Sequence, residues 1–322
     1  MPGTDPAEAM RLIADELADF PHLAELPGRG PGADLTGRAA ALLVDMPAVV
    51  TPRGWRLAER PGRDLSRARS MLSSELDVLE EVLQGFTGPV KIQLCGPWTL
   101  AATLELSRTM DVALSDPGAV ADLTASLAEG AAAYAADVAR RLPGARLVVQ
   151  FDEPALPSVL AGQVPTQSGF SRLAAVEDDT AAERLSQVLE AVAAYTVVHC
   201  CATTVPFGVI QQAGADGISF DLSQLRRGEE DAVAEVADAG LGLLTGAVPA
   251  LTSEAGGPRE TAERVIRLWR RLGLSSGGAA QQVVITPACG LAGASPAQAR
   301  AVLARCREAA LILPELFEET GD

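Results

Sequence analysis

Three side chains in this sequence have the types that bind a thiophilic metal ion: His199, Cys201 and Cys289. The first two belong to the stretch Tyr195-Thr-Val-Val-His-Cys-Cys-Ala202, in which a β-branched run leads into the histidine. Because side chains alternate along a strand, His199 and Cys201 should face one way and Cys200 the other. Taken alone, this stretch favours a buried histidine beside apolar cysteines over half of a tetrahedral zinc site.

Polar residues at other predicted strand ends reverse that preference. Glu25, Asp152 and Asp221 each end an apolar run, and Cys289 follows the run Val283-Val-Ile-Thr-Pro287. In a barrel of parallel strands, such ends meet on one rim. A histidine and two cysteines from separate strands therefore favour a zinc site over an inert cluster. Sulfur-rich ligation also excludes magnesium or calcium as the natural occupant.

The elements that position these residues alternate between helix and strand. Predicted strands cover residues 90–97, 147–153, 195–202, 217–222, 242–248 and 283–289, with a further strand end at 20–25. Nearly continuous apolar strands separated by helices indicate a parallel sheet covered on both faces. Seven of them favour an α/β fold, a (β/α)₈ TIM barrel, over an open sheet. Residues 1–322 are predicted to form this single domain. A helix is predicted to begin near Asp5, so we expect the first barrel strand to be missing at the N-terminus.

Composition excludes several classes of function. The net charge is −16 and no basic stripe is present, which argues against nucleic-acid binding and against docking on anionic membranes. No apolar window approaches the length of a membrane span, and the N-terminus has no apolar signal region. The five cysteines are too sparse for a disulfide framework. We therefore expect a reducing, cytoplasmic setting.

Three motifs carry a resemblance to a known family: Val149-Gln-Phe-Asp-Glu-Pro-Ala-Leu156, His199-Cys-Cys201 and Thr286-Pro-Ala-Cys-Gly-Leu291. With the strand that ends at Asp221, they resemble the C-terminal catalytic barrel of cobalamin-independent methionine synthase. That family belongs with the uroporphyrinogen decarboxylase-like barrels, and the resemblance spans nearly the whole chain. It implies a methyltransferase whose zinc activates the thiol of homocysteine to accept a methyl group, which gives methionine.

The resemblance also implies roles for individual residues. The implied zinc ligands are His199, Cys201, Asp221 and Cys289. Asp152 matches a carboxylate that holds the amino group of homocysteine, and Glu25, aligned through Gly54-Trp55, matches a second one. No catalytic residue beyond the metal site is implied. These roles are physically coherent, because a metal favours the thiolate form of a bound thiol and the carboxylates orient the ammonium group.

The chain departs from the family in four ways. It has one barrel where full-length members have two, so the methyl donor is either a folate or a methylated corrinoid protein. Asp221 replaces glutamate and reaches about 1.5 Å less far. The stretch Leu243–Pro249 lacks the family's histidine, and the first strand is missing. The alternatives are a zinc methyltransferase for another small thiol with a corrinoid donor, and a degenerate zinc-binding barrel without turnover.

Overall fold

Helices and strands alternate along the chain in this computed structural model, which describes residues 1–251, 256–275 and 279–319. The strands are β1 (Ala48–Thr51), β2 (Gly54–Leu57), β3 (Pro89–Cys95), β4 (Arg146–Asp152), β5 (Tyr195–Cys200), β6 (Gly217–Asp221), β7 (Gly242–Val248) and β8 (Val283–Pro287). The helices are α1 (Pro6–Glu16), α2 (Leu35–Leu42), α3 (Arg63–Val82), α4 (Pro97–Thr103), α5 (Pro117–Arg141), α6 (Leu156–Leu160), α7 (Asp178–Glu190), α8 (Phe207–Gln212), α9 (Glu230–Asp238), α10 (Pro258–Arg271), α11 (Ala279–Gln282) and α12 (Pro296–Glu319). The six apolar strands predicted from residue 90 onwards are therefore confirmed, and no strand end is displaced by more than two residues.

Six parallel strands form one curled sheet in the order β3-β4-β5-β6-β7-β8. Its register aligns residues that matter for the site, since Asp152 pairs with His199 and His199 pairs with Ser219. On the outer side of β3, His22 forms a parallel bridge with Lys91. The predicted strand end at 20–25 is thus a single bridge rather than a full strand.

The described residues form part of the predicted (β/α)₈ barrel, and their sheet is not closed. Within the described ranges, β8 has one strand neighbour, β7, and the sheet ends at the bridge around His22 on the other side. Residues 1–5 contain no strand, and α1 begins at Pro6. The observed architecture is therefore an α/β fold whose curled parallel sheet is open between β8 and the His22 segment.

An antiparallel hairpin, β1–β2, precedes the sheet and was not predicted. Val49 pairs with Arg56, and Trp55 is buried with its indole N–H donated to the carbonyl of Pro31. A β-branched run, a Pro-Arg-Gly turn and an aromatic residue are the sequence signal for this hairpin.

The two faces of the sheet differ in polarity. On β5, Val198 and Cys200 point towards the helices and are fully buried, whereas Val197 and His199 point into the concave lumen. The lumen contains a small apolar cluster of Val148, Val197 and Leu244, with polar groups above it. The polar residues of the strands therefore collect on the concave side. No helix in the described ranges has both the length and the apolar character needed to cross a membrane.

Glu153 connects the end of β4 to the start of α4. Its carboxylate accepts hydrogen bonds from the Trp98 and Thr99 amides, at 2.8 and 2.7 Å, and from the Thr99 hydroxyl at 2.7 Å. A Cβ at Gly96 would lie 2.4 Å from this carboxylate, so glycine is required there. The Glu153 amide also donates to the carbonyl of His199 at 2.7 Å. Glu153 therefore holds three strand ends in register.

Replacing this carboxyl group should change how stability depends on pH. Glu153 has no exposed surface, and its burial outweighs the hydrogen bonds and raises its pKa to about 7. The folded protein therefore keeps this proton in a pH range where the unfolded chain has lost it. The contribution of Glu153 to stability is fully present below about pH 4.5 and declines as the pH rises through 7. We expect Glu153→Gln to lower the free energy of unfolding by about 1–3 kcal/mol at pH 5, and by less at pH 8.

Urea unfolding of both proteins at the two pH values measures this difference. Glu105→Gln is a matched control, because Glu105 is also buried but is paired with the Arg56 guanidinium at 2.6 Å. Its destabilisation should not shrink at pH 8, since the guanidinium stays charged. An equal effect of Glu153→Gln at both pH values would contradict the proposed proton retention.

Candidate metal centre and substrate pocket

The histidine and the two cysteines lie where two strands end. His199 is the fifth residue of β5, and Cys201 follows directly after that strand. Cys289 lies two residues beyond β8. His199 and Cys201 are half-buried, whereas Cys200 between them is fully buried on the helix side. The alternation expected from the sequence is therefore present in the structure.

The three ligand atoms are close enough to hold one ion. Those of His199, Cys201 and Cys289 all lie within 4.8 Å of one another, and the two sulfurs are 3.7 Å apart. Two thiolates bound to one tetrahedral zinc at about 2.3 Å lie about 3.8 Å apart. The same spacing permits the hydrogen bond that Cys289 makes with Cys201. Both the donor set and the sulfur spacing therefore fit zinc.

The two thiols have opposite pKa shifts. A hydrogen bond with Cys201 and another with His199 lower the pKa of Cys289 to about 4. The same thiol–thiol bond, together with burial, raises the pKa of Cys201. Cys289 is therefore the thiolate of the pair, and it is also the more exposed of the two. The cluster offers a preformed negative charge to a cation.

Asp221 ends β6 but is engaged in a turn. Its Oδ1 accepts hydrogen bonds from the Ser223 amide at 2.8 Å and from the Ser223 hydroxyl at 2.7 Å. In the described part of the chain, the group of ligand atoms within 4.8 Å does not include its carboxylate. The geometry therefore brings three of the four predicted ligands together, and the role of Asp221 stays a prediction.

Asp152 lies beside the metal cluster at the end of β4. Its Cα is in register with that of His199, and its Oδ1 accepts a hydrogen bond of 2.6 Å from Gln150 Nε2. Burial raises the pKa of Asp152 to about 6, and Glu25 adds to this effect, while His199, Lys91 and the Gln150 bond oppose it. The structure thus has a carboxylate next to the metal cluster, as the sequence predicted.

Glu25 borders the same cavity but is already paired. Its Oε1 lies 2.8 Å from Arg38 Nε in an ion pair. Arg38 is buried and also contacts Glu75, which pairs with Arg29 at 2.5 Å. This chain of alternating charges fixes the position of the Glu25 carboxylate. The buried charge of Arg38 is tolerated because it is paired. Arg38 could not be recognised from the sequence, because its partners Glu25 and Glu75 are distant along the chain.

Sequence reasoning also missed a cation in the lumen. The Lys91 side chain donates to Gln93 Oε1 at 3.2 Å, and Gln93 donates in turn to the Leu23 carbonyl at 2.9 Å. Burial lowers the pKa of Lys91, and the charges of Asp152 and Glu25 oppose this shift. Lys91 and Gln93 alternate with apolar residues in β3, and a polar residue at every second position was the signal for a polar lumen.

One cavity of about 620 Å³ connects the cluster of His199, Cys201 and Cys289 with Asp152, Glu25 and Lys91. Its polar side is formed by Glu25, Lys91, Asp152, His199, Cys201 and Cys289. Its apolar side comes from β7, β8 and α12, and includes Leu244, Val284 and Leu303. A small amphiphilic molecule with a thiol and a cationic group has complementary partners on these walls.

The overall fold is similar to that of a solved enzyme. A structure of a B12-independent methionine synthase from Shewanella sp. W3-18-1, described as a complex with selenomethionine, superposes with a TM-score of 0.66. The match covers 98% of this chain and 89% of that chain at 15% identity. At this identity the similarity establishes the fold alone. A comparison with curated protein sequences gave no match.

A family model establishes more than the fold. Residues 48–311 match the model of the cobalamin-independent synthase catalytic domain, which is well over half of the chain. The matched region includes β3 to β8, and with them Asp152, His199, Cys201 and Cys289. The chain therefore belongs to the family of cobalamin-independent methionine synthase catalytic domains, whose members are methyltransferases.

Proposed function

We propose that this protein is a zinc-dependent methyltransferase that transfers a methyl group to the thiol of homocysteine and forms methionine. The observation that supports this most directly is the position of the His199–Cys201–Cys289 cluster, which shares one cavity with Asp152. The selenomethionine in the related structure is an analogue of the proposed product and is consistent with such a pocket. Residues 1–322 act in this proposal as one catalytic domain.

Each residue of the pocket has a role in this proposal. Zinc held by His199, Cys201 and Cys289 would supply a substrate thiolate at neutral pH, because a bound cation lowers the pKa of a thiol. Asp152 receives the ammonium group of the substrate through a charge-assisted hydrogen bond. Gln150 engages Oδ1 of Asp152 and leaves Oδ2 available for that ammonium.

Two further carboxylates complete the proposed site. Glu25 contributes a second acceptor for the ammonium, with Oε2 available while Arg38 pairs with Oε1. Asp221 is the proposed fourth ligand, and it must leave its turn with Ser223 to reach the metal. Because aspartate is short, this movement involves the backbone at the end of β6.

We also propose that the sheet follows the plan of an eight-stranded barrel. In that plan one strand position, between β8 and the His22 segment, is not filled by the described residues. Its support is that both edges border the same cavity, and that six parallel strands already curl around it. Barrels of this architecture carry their active sites at the carboxyl ends of the strands, where the cluster lies. An experimental structure in which β8 pairs directly with residues 21–23 would overturn this proposal.

The function is tested by assaying methionine formation from homocysteine. Two donors are compared, methylcobalamin as a stand-in for a methylated corrinoid protein and methyltetrahydrofolate with a polyglutamate tail. Methionine from either donor supports the proposal and identifies the donor class. If neither donor yields methionine with zinc-loaded protein, the methionine synthase assignment fails.

Neighbouring cysteines should differ sharply in their effect on metal binding. Cys201→Ser removes a soft sulfur donor from the cluster, so we expect zinc affinity to fall by at least about 100-fold. Cys200→Ser changes the adjacent side chain, which is fully buried and faces the helices. It should leave zinc affinity within about 3-fold while lowering stability by about 1–3 kcal/mol.

Competition with a chromophoric chelator measures the affinities, and urea unfolding of the metal-free proteins measures stability. The pair controls for any general effect of a serine at this strand end. Equal zinc affinities of the two variants would refute the proposed ligand set.

The charge of Asp152 should matter for substrate binding rather than for the metal. Asp152→Asn retains the shape of the side chain but removes the charge that attracts an ammonium group. We expect the KM for homocysteine to rise by about 10- to 100-fold, with zinc content unchanged. Steady-state kinetics and metal analysis of the same preparation check both parts. An unchanged KM would remove Asp152 from the proposed ammonium site.

A further inference from the structure

We propose that Ser219 is a positioning residue of the metal centre: its hydroxyl holds Nδ1 of His199, so that Nε2 is presented to the ion. The two atoms, Ser219 Oγ and His199 Nδ1, are 2.8 Å apart. This inference rests on the proposed zinc site and assigns a role to a residue outside the predicted ligand set. An imidazole that binds a metal through one nitrogen needs a partner on the other nitrogen to fix its tautomer and orientation.

The register of the sheet makes this contact specific. His199 and Ser219 are paired residues on the neighbouring parallel strands β5 and β6, so their side chains emerge side by side on the concave face. Ser219 is only 4% exposed. Among the described residues, His199 is the hydrogen-bonding partner of its hydroxyl. A buried hydroxyl with this single partner is directed at the imidazole.

Both strands are anchored behind the contact. On the helix side of β6, the ring of Phe220 packs edge-to-face against that of Phe207, with centroids 5.4 Å apart. On β5, the carbonyl of His199 accepts a hydrogen bond from the Glu153 amide at 2.7 Å. These contacts anchor the backbone next to Ser219 and at His199, so the hydroxyl and the imidazole keep their spacing.

A hydroxyl suits this position because it both donates and accepts. In the metal-free state the Ser219 hydroxyl can donate its proton to Nδ1 of His199 in a hydrogen bond. When Nε2 binds a cation, Nδ1 carries the proton and donates a hydrogen bond to the same hydroxyl. The ring therefore stays in place while its tautomer changes.

The test compares three variants for zinc affinity and stability. Ser219→Ala should weaken zinc binding by about 10- to 100-fold, whereas Ser219→Thr keeps a hydroxyl and should restore most of the affinity. Thr245→Val is the matched control, because Thr245 is a buried hydroxyl residue on the next strand, β7, that bonds the Val284 carbonyl at 3.2 Å. It should lower the stability of the metal-free protein but leave zinc affinity unchanged.

Nuclear magnetic resonance of ¹⁵N-histidine adds a readout that does not depend on activity. The chain has two histidines, so His22 serves as an internal reference. In metal-free protein, Ser219→Ala should move the ¹⁵N shifts of His199 and leave those of His22 in place.

If Ser219→Ala leaves the ¹⁵N shifts of His199 unchanged, or leaves the zinc affinity unchanged, this inference is overturned. Failure of the wild-type protein to bind zinc would instead overturn the proposed function. In that case the ¹⁵N comparison in metal-free protein still decides whether Ser219 orients the imidazole.

Discussion

The curl of the parallel sheet is the constraint on which the site depends. Cys201 follows β5 and Cys289 follows β8, and these strands are separated by two others in the sheet order. In a flat sheet with neighbouring strands about 4.8 Å apart, the two ends would be about 14 Å apart. Their sulfurs are instead 3.7 Å apart. The twist and curvature that accumulate over β5 to β8 therefore bring two distant thiols to a spacing that fits a single metal ion.

The concave face combines opposite charges within a small volume. Asp152 and Glu25 border the same cavity as Lys91, and Arg38 pairs with Glu25 from the outer side. Burial shifts the pKa of Asp152 upwards and that of Lys91 downwards, while their mutual attraction opposes both changes. This balance leaves a pocket that accepts a further cation without a large net charge of its own. The proposed substrate, which carries an ammonium group and a thiol, is complementary to this pocket.

Agreement between sequence and structure is closest where a single strand determines the outcome. The β-branched run before His199 predicted a strand, and the period of two placed Cys200 on the face opposite to His199. Agreement is weaker for features that depend on contacts between distant segments of the chain. The hairpin at residues 48–57 was not foreseen, and Asp221 lies in a turn with Ser223. Each of these depends on contacts that local periodicity does not encode.

The sequence by itself determined the order of strands and helices, the face on which each strand residue lies, and the residue types available at the strand ends. Apolar runs and alternation are local properties of the chain, so each segment specifies them by itself. Only the tertiary structure decided which ends meet. It paired Ser219 with His199, placed Arg38 behind Glu25, and brought Lys91 into the lumen. The physical reason is that sheet curvature and buried charge pairing arise from the packing of the whole chain, and no single segment determines either of them.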